Sequence, residues 1–237
     1  MTTERRYAEL HAHSAFTFLD GTDEPARMVE EAARLGLDAL AILDVDGMYS
    51  TVQTTMAARA AGLPIVYGAE LTLAWDALRG IVAGSSAPGW GLAPGAEDPG
   101  MRLPILAASP SGYANLVGAM SDRSLSEPGQ RKPRHDLVNL SEAGGDLVVL
   151  TGGRRGPLMR ALRAGGAASA RRVLDVLVDA FGRDHVLVEW QGARGDEDEA
   201  GDMLAELART SGTRLVATSG ARMSSPSKQA LGDILAA

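Results

Sequence analysis

Short apolar runs alternate with longer amphipathic stretches along this chain of 237 residues. The apolar runs predict strands, and the stretches whose apolar residues recur every three or four positions predict helices. Glycines such as Gly36 and Gly62 stand where two of these helices should end. The alternation favours a parallel sheet, either closed into a barrel or open and doubly wound. The expected strands are residues 7–10, 39–43, 64–67, 103–107, 147–150, 186–189 and 215–218.

Two stretches of the chain show neither the pattern of a strand nor that of a helix. Residues 84–101 are rich in Gly, Pro, Ser and Ala, which predicts a flexible surface insertion. Residues 124–134 are expected to form a second, polar loop. Because the alternation of strands and helices resumes after the first stretch, we expect a single domain over residues 1–237 rather than two domains joined by a linker.

Composition narrows the possible chemistry. The chain has no cysteine, which excludes thiolate catalysis and leaves His, Asp and Glu as the strong metal ligands. A net charge of −7 disfavours strong direct binding to nucleic acid, which needs clustered Lys and Arg. No apolar run approaches the roughly 20 residues of a membrane span, so we expect a cytoplasmic protein that does not enter the membrane.

Two of the four histidines, His11 and His13, stand one residue apart after the first predicted strand. Alternate side chains of an extended segment point the same way, so both imidazoles can bind one metal ion. The alternative is that both cap the strand end through hydrogen bonds to backbone carbonyls. The motif alone leaves both interpretations open.

Acidic residues follow the next two predicted strands: Asp44 and Asp46 after one, Glu70 after the other. In parallel β/α folds the carboxyl ends of the strands form one rim, where functional residues gather. We therefore expect these acids to converge with His11 and His13. The predicted metal ligands are His11, His13, Glu70 and Asp44.

Four segments carry a family resemblance: YAELHAHSAF at residues 7–16, FLDG at 18–21, VEEAARLGL at 29–37 and GAEL at 68–71. They resemble the amino-terminal PHP (polymerase and histidinol phosphatase) domain of bacterial C-family DNA polymerases, the DNA polymerase III alpha-subunit family. The error-prone branch of that family is the most similar. Similarity continues through residues 132–134, 150–156 and 216–218, so it covers nearly the whole chain.

The resemblance implies a distorted (β/α)7 barrel of the TIM-like, PHP type. In active relatives the rim of this barrel holds several divalent metal ions for phosphoester hydrolysis. Such ions lower the pKa of bound water and neutralise charge on the phosphoryl transition state. In some relatives the resemblance implies a 3′ to 5′ exonuclease, and in others a structural platform for the polymerase.

The chain departs from the family at most of its metal-ligand positions. Histidines of the family are replaced by Val45, Arg102 and Arg222, and a cysteine is replaced by Gly153. A further histidine is missing from residues 190–193. The residual ligands suffice for one divalent ion, zinc or manganese, or the site binds none.

The replacing arginines carry permanent positive charge. We expect Arg102 and Arg222 to pair with Glu70, Asp44 or Asp46 and so to substitute for missing metal charge. The alternative is that both extend into solvent. The other two histidines, His135 and His185, are not expected to bind metal, since one lies in the polar loop and the other precedes a strand.

Three functions remain possible. The favoured one is a degenerate PHP module, inactive as an isolated chain, with a structural or protein-interaction role in DNA replication or repair. Its partner would be a C-family polymerase module or another replication or repair protein. The second is a metal-dependent phosphoesterase or 3′ to 5′ exonuclease with a reduced site. The third, an unrelated enzyme for a phosphorylated ligand, lacks a glycine-rich phosphate motif. No polymerase palm, thumb or fingers are recognisable in the sequence.

Overall fold

A computed structural model describes residues 6–74, 78, 100–126, 134–192 and 197–235. Backbone contacts divide the chain into two units. The first unit comprises Met1–Glu70 with Thr218–Ala237, and the second comprises Leu71–Ala217. The predicted insertion at residues 84–101 lies outside the described residues except at its end, where Met101 already belongs to a strand.

Strands and helices alternate over most of the described chain, as predicted. Short 3-10 helices cover Arg183–His185 and Pro226–Lys228. The principal elements are β1 (Ala8–Ala12), α1 (Pro25–Arg34), β2 (Ala39–Ile42), α2 (Thr51–Ala61), β3 (Gly68–Leu73), β4 (Met101–Ala107), α3 (Pro110–Ser126), α4 (Leu137–Glu142), β5 (Leu147–Leu150), α5 (Pro157–Phe181), β6 (Val186–Gln191), α6 (Glu197–Ser211), β7 (Arg214–Thr218) and α7 (Gln229–Leu235).

The strands form a two-stranded sheet, β1-β2, and a five-stranded sheet in the order β3-β4-β5-β6-β7. β1 pairs with β2 in parallel, and β5 pairs with β6 in parallel. β4 and β5 are antiparallel, with Ile105 opposite Val149, so the prediction of a wholly parallel sheet is wrong. An apolar run indicates that a strand is buried, but it does not indicate whether the strand is parallel or antiparallel to its neighbour. Within the described ranges, no ladder closes these sheets into a barrel.

Several predicted boundaries also change. The third strand was expected at residues 64–67, but β3 begins at Gly68, and Ile65 makes only an isolated bridge to Leu40. The expected loop at residues 124–134 overlaps α3, which continues to Ser126. A short helix, α4, was not predicted; Asp136 caps it by accepting a hydrogen bond from the Val138 N–H at 2.9 Å.

In the first unit, α1 shows how local sequence positions β1 and β2. Pro25 opens the helix, where its fixed φ is favourable, and Gly36 follows its end with a φ of 72°. One face of α1 is buried against β2 and α2 in an apolar cluster. Its buried members are Ala12, Met28, Val29, Ala32, Leu40, Ile42, Ala58 and Leu63. This packing fixes the strand ends at which His13 and Asp44 follow.

In the second unit, the strands carry fully buried apolar side chains such as Ile105, Val149 and Val188. α5 adds an apolar face that includes Val173 and Leu177. Backbone dihedrals are non-helical at residues 165–166, so α5 consists of two helical segments. No described helix combines the length and apolar character that crossing a membrane requires.

Candidate metal centre

The end of β1 positions the two histidines of the candidate site. The His11 N–H donates to Glu9 Oε1 at 2.8 Å, and the His13 N–H donates to the Ala221 carbonyl at 2.8 Å. Both imidazoles are buried. Backbone bonds on either side of the motif therefore hold both rings at one place in the first unit.

Glu70 reaches the same place through its register with the chain after β2. Its N–H donates to the Asp44 carbonyl at 3.2 Å, and its carbonyl accepts from the Asp46 N–H at 2.9 Å. These bonds form a parallel bridge between Val45 and Glu70. The bridge fixes the position of a buried carboxylate.

The three side chains converge closely. His11 Nε2 lies 3.3 Å from Glu70 Oε1, and His13 Nε2 lies 3.3 Å from Glu70 Oε2. One ligand atom from each residue lies within 4.8 Å of the others. Bonds of about 2.0–2.2 Å to a tetrahedral zinc ion would place ligand atoms at comparable separations. The donor set of two imidazoles and one carboxylate suits zinc or manganese.

His13 supplies a further sign that the group fits a metal. Both of its ring nitrogens are buried and make no hydrogen bond in the part of the chain that the structure describes, although carboxylate oxygens lie nearby. Each nitrogen instead has a carboxylate oxygen at 3.3 Å, Asp20 for Nδ1 and Glu70 for Nε2. Coordination of an ion by this ring would give a buried nitrogen a bond of good geometry.

Charge pairing dominates the electrostatics of the group. Burial alone would raise the pKa of Glu70, but the positive charges on His13 and His11 hold it well below its usual range. Burial likewise lowers the pKa of His13, but Glu70 and Asp20 outweigh it and the net shift is upward. Glu70 is therefore ionised, which is the form that binds a cation, and His11 and His13 must be in their neutral form to coordinate one with it.

A chain of contacts leads outward from His13. His13 Nδ1 lies 3.3 Å from Asp20 Oδ2, and the Arg222 Nε lies 2.9 Å from Asp20 Oδ1. Arg222 pairs with a carboxylate, as predicted, but the partner is Asp20 and not Glu70, Asp44 or Asp46. Asp20 was missed as a site residue, although it stands in the FLDG segment that carried the family resemblance.

Asp44, the fourth predicted ligand, serves the neighbouring turn. Its carboxylate accepts hydrogen bonds from the Ser14 N–H at 3.0 Å and from the Thr17 hydroxyl at 2.9 Å. The Ser14 hydroxyl also donates to it, at 2.8 Å. Asp44 is thus not part of the three-residue group, and its carboxylate holds the segment that leads to Asp20.

Glu9 is a buried carboxylate that the sequence reasoning missed. It accepts hydrogen bonds from the Tyr7 hydroxyl, the His11 N–H and the Ser219 N–H, each at 2.8 Å, and from the Ser219 hydroxyl. Burial and the nearby charge of Glu9 raise the pKa of Tyr7. Because side chains alternate along a strand, Glu9 lies on the same face of β1 as His11. This spacing could have identified Glu9 from the sequence.

The remaining replaced positions have local roles within their own units. Val45 donates its N–H to Thr17 Oγ1 at 3.3 Å. In the second unit, Arg102 lies in β4 and donates its N–H to the Arg155 carbonyl at 3.0 Å. A Cβ added at Gly153 would overlap Gln191. The expected pairing of Arg102 with Glu70, Asp44 or Asp46 stays a prediction.

Together these observations define a mixed α/β protein with a buried His-His-Glu candidate metal centre. Residues 9–193 match the PHP domain family, and the chain belongs to that family. The family resemblance read from residues 7–16 and 68–71 is therefore confirmed.

Relatives in sequence are long polymerases. The chain is 43% identical over 227 residues to an error-prone DNA polymerase of Mycolicibacterium paratuberculosis, covering 95% of this chain and 20% of that protein. It is 42% identical to an error-prone DNA polymerase of Mycobacterium tuberculosis, covering 98% of this chain and 20% of that protein. The chain thus spans about a fifth of the length of these relatives.

Solved structures support the fold. A Chromobacterium violaceum amidohydrolase, described with bound sulfate and no metal, gives a TM-score of 0.55 at 16% identity, over 91% of this chain and 87% of that one. A two-domain protein of Bacteroides vulgatus, containing a predicted PHP-like metal-dependent phosphoesterase, gives 0.54 at 16% identity, over 92% of this chain and 52% of that one.

Proposed function

We propose that this chain is a degenerate PHP module of an error-prone, DNA polymerase III alpha-type system. It keeps one divalent metal ion and serves DNA replication or repair through protein contacts rather than catalysis. The observation that carries the proposal is the His11-His13-Glu70 group, the one such metal-ligand group found among the described residues. Three ligands suffice for one ion, whereas a multinuclear cluster needs more.

The ion pair between Arg222 and Asp20 supports a reduced site. Arg222 stands at a position where the family resemblance implies a metal-binding histidine, and its guanidinium cannot deprotonate to coordinate a metal. The pair places a permanent positive charge one side chain away from His13. Like charge disfavours a second divalent ion beside the first.

Exposed apolar side chains in the first unit support a role in protein contacts. Phe18 is 85% exposed, and Val52 and Met56 are each 69% exposed. Val52 and Met56 are four residues apart on α2 and so share a helix face. Contiguous apolar surface marks contact sites, and the Val52 and Met56 face of α2 is the candidate for such a surface here. The partner we propose is a polymerase module like those that make up the other four fifths of the relatives.

Metal content and hydrolysis test the first part of the proposal. Purified protein should bind about one zinc or manganese ion per chain, and His13→Ala should abolish that binding. Hydrolysis of bis-p-nitrophenyl phosphate should not exceed that of the metal-free protein. Two or more ions per chain, or hydrolysis that His13→Ala removes, would contradict the proposal.

Co-purification tests the second part. The bait is the portion of the Mycobacterium tuberculosis error-prone DNA polymerase that the chain does not match. The combined Phe18→Ser and Val52→Ser changes should weaken capture of this chain about tenfold or more, since each deletes exposed apolar contact area. Val138→Ser removes a similarly exposed apolar side chain from the second unit and should leave capture unchanged.

A second candidate function is a metal-dependent phosphoesterase, and one observation favours it. Catalytic zinc sites commonly use three protein ligands and keep a fourth position open, and His11, His13 and Glu70 provide three. A bound ion would supply an activated water and charge neutralisation at the phosphate. In this alternative the three side chains hold the ion, and Asp20 orients the His13 ring. The hydrolysis assay above distinguishes the two functions.

A further inference from the structure

Residues 219–224 connect β7 to the 3-10 helix Pro226–Lys228 and belong to neither a helix nor a strand. We call them the connecting segment. Ala221 packs against the apolar cluster of the first unit, but each of the six residues is half-buried or exposed. Segments with few buried contacts open locally at a low cost in free energy. The position of the connecting segment therefore depends on the individual hydrogen bonds and ion pairs that it makes.

Both candidate metal-binding histidines are joined to the connecting segment through their backbone. The His13 N–H donates to the Ala221 carbonyl at 2.8 Å. The His11 N–H donates to Glu9 Oε1 at 2.8 Å. The Ser219 N–H donates to the other oxygen of the same carboxylate, also at 2.8 Å. The buried Glu9 carboxylate therefore bridges His11 and the first residue of the segment.

A third connection runs through the ring of His13. Its Nε2 lies 3.3 Å from Glu70 Oε2, and its Nδ1 lies 3.3 Å from Asp20 Oδ2. Coordination of an ion through Nε2 would leave Nδ1 as the N–H that faces Asp20, and carboxylates in this position commonly orient metal-binding histidines. The other oxygen of Asp20 lies 2.9 Å from the Arg222 Nε. The ring that would bind the ion is thus two contacts away from the middle of the segment.

The turn that carries Asp20 also holds the far end of the segment. The Thr22 N–H donates to the Arg222 carbonyl at 2.9 Å. The Ser224 N–H donates to Oδ2 of Asp23, a buried carboxylate, at 2.8 Å. Any change that fixes Asp20 therefore acts on the same turn to which residues 222–224 are bonded.

We propose that metal binding at the candidate centre stabilises the connecting segment against local opening, and that Asp20 and Arg222 carry part of this effect. The inference rests on the proposed function, since it requires that the centre binds an ion. A bound ion fixes the His13 ring, and the ring in turn fixes the carboxylate that pairs with Arg222. Couplings between two sites commonly change an equilibrium about 5–150-fold. All of the groups involved lie in the first unit.

Hydrogen exchange of the whole chain, with and without saturating zinc, tests the proposal. The Ser219 and Ser224 N–H groups report on the segment, because each donates one of the bonds that hold it. We expect zinc to slow their exchange about tenfold. Competition with a chromophoric chelator measures zinc affinity in the same samples. Absence of zinc binding would contradict the proposed function and this inference together, whereas zinc binding with unchanged exchange would overturn the inference alone.

Two arginine positions complete the test. Arg222→Gln removes the ion pair with Asp20 and keeps the backbone bonds of the segment, so saturating zinc should slow exchange at Ser224 only about threefold. Arg222→Lys keeps the positive charge and should recover part of the difference. Arg34→Gln is the matched control, since Arg34 forms an exposed ion pair with Glu31 in the same unit, and it should keep the full slowing. Equal slowing in the parent chain and the Arg222→Gln variant would overturn the proposal.

Discussion

Arg222 and His13 are linked through opposite oxygens of one carboxylate. The Arg222 Nε lies 2.9 Å from Asp20 Oδ1, and His13 Nδ1 lies 3.3 Å from Asp20 Oδ2. Carboxylates behind metal-binding histidines commonly fix the orientation of the imidazole. The contact therefore connects the half-exposed Arg222 with the buried group that His13 shares with His11 and Glu70.

The first prediction concerns this contact. Asp20→Asn should weaken zinc binding about tenfold or more, because the amide no longer provides a charged partner behind His13. The dissociation constant can be measured by competition with a chromophoric chelator. Asp38→Asn is a suitable control, since Asp38 also pairs with an arginine, Arg6, at the surface of the same unit. Equal zinc affinity in the Asp20 and Asp38 variants would contradict this role for Asp20.

The second prediction concerns Glu9. Glu9→Ala should lower the free energy of unfolding by roughly 3 kcal/mol, because it leaves the Tyr7 hydroxyl and the Ser219 N–H without their buried acceptor. Urea unfolding measures the change. Glu30→Ala removes an exposed carboxylate that pairs with Arg27 and should alter stability little. A similar loss in both variants would show that the buried network around Glu9 has no special weight.

The third prediction concerns pH and His135. Its pKa of about 4 in the folded chain lies below the value of about 6.5 expected in the unfolded chain. The unfolded chain therefore binds the proton more readily, and stability falls as the pH drops from about 6.5 toward 4. At pH 5 the loss relative to pH 8 should be roughly 2 kcal/mol.

Urea unfolding at pH 8 and pH 5 measures this loss. His135→Gln should remove it, so the variant should lose less stability on acidification than the parent chain. His185→Gln is the matched control, because it removes a different histidine, whose Nδ1 contacts the Leu147 carbonyl at 2.9 Å. The prediction is wrong if the pH dependence survives in the His135 variant.

The fourth prediction compares two glycines of the second unit. Gly152 has a φ of 76°, and a Cβ there would approach Gly156 Cα to 2.7 Å and the Arg102 carbonyl oxygen to 2.8 Å. Gly152→Ala should therefore destabilise the fold by roughly 2 kcal/mol or more. Gly118 lies within α3, and no atom of the described residues lies within 4 Å of an added Cβ. Gly118→Ala should raise stability by about 0.5–1 kcal/mol. Thermal unfolding of both variants separates these opposite effects.

Local patterns predicted the helices of the first unit well. Pro25 and Gly36 bound α1, and Gly62, with a φ of 68°, ends α2 where the sequence indicated. The third strand was predicted too early in the chain, because residues 64–67 are as apolar as β3 itself. Only the pairing of β3 with neighbouring strands distinguishes the two segments. The antiparallel direction of β4 and β5 depends on the path of the connecting helices, which an apolar run does not encode. α4 was missed because six residues give too little periodicity.

The residues of the candidate site also fall into two groups, those that the sequence predicted and those that it did not. His11, His13 and Glu70 were identified from motif spacing and strand ends, and the structure brings them together. The sequence did not indicate that Asp20 rather than Asp44 would contact His13, because both are acids in turns that follow strands, Asp20 after β1 and Asp44 after β2. Their roles follow from partners elsewhere in the chain: Ser14 and Thr17 for Asp44, and Arg222, about 200 residues away, for Asp20.

The break in α5 at residues 165–166 has a consequence for cooperativity. Gly165 and Gly166 leave the helical region, and Gly166 has a φ of 65°. The helical hydrogen-bond ladder is therefore interrupted, and each segment acquires its own pair of oppositely charged ends. The two helical segments can therefore unfold locally and exchange their amide hydrogens independently of each other. A continuous helix of the same length would open more cooperatively.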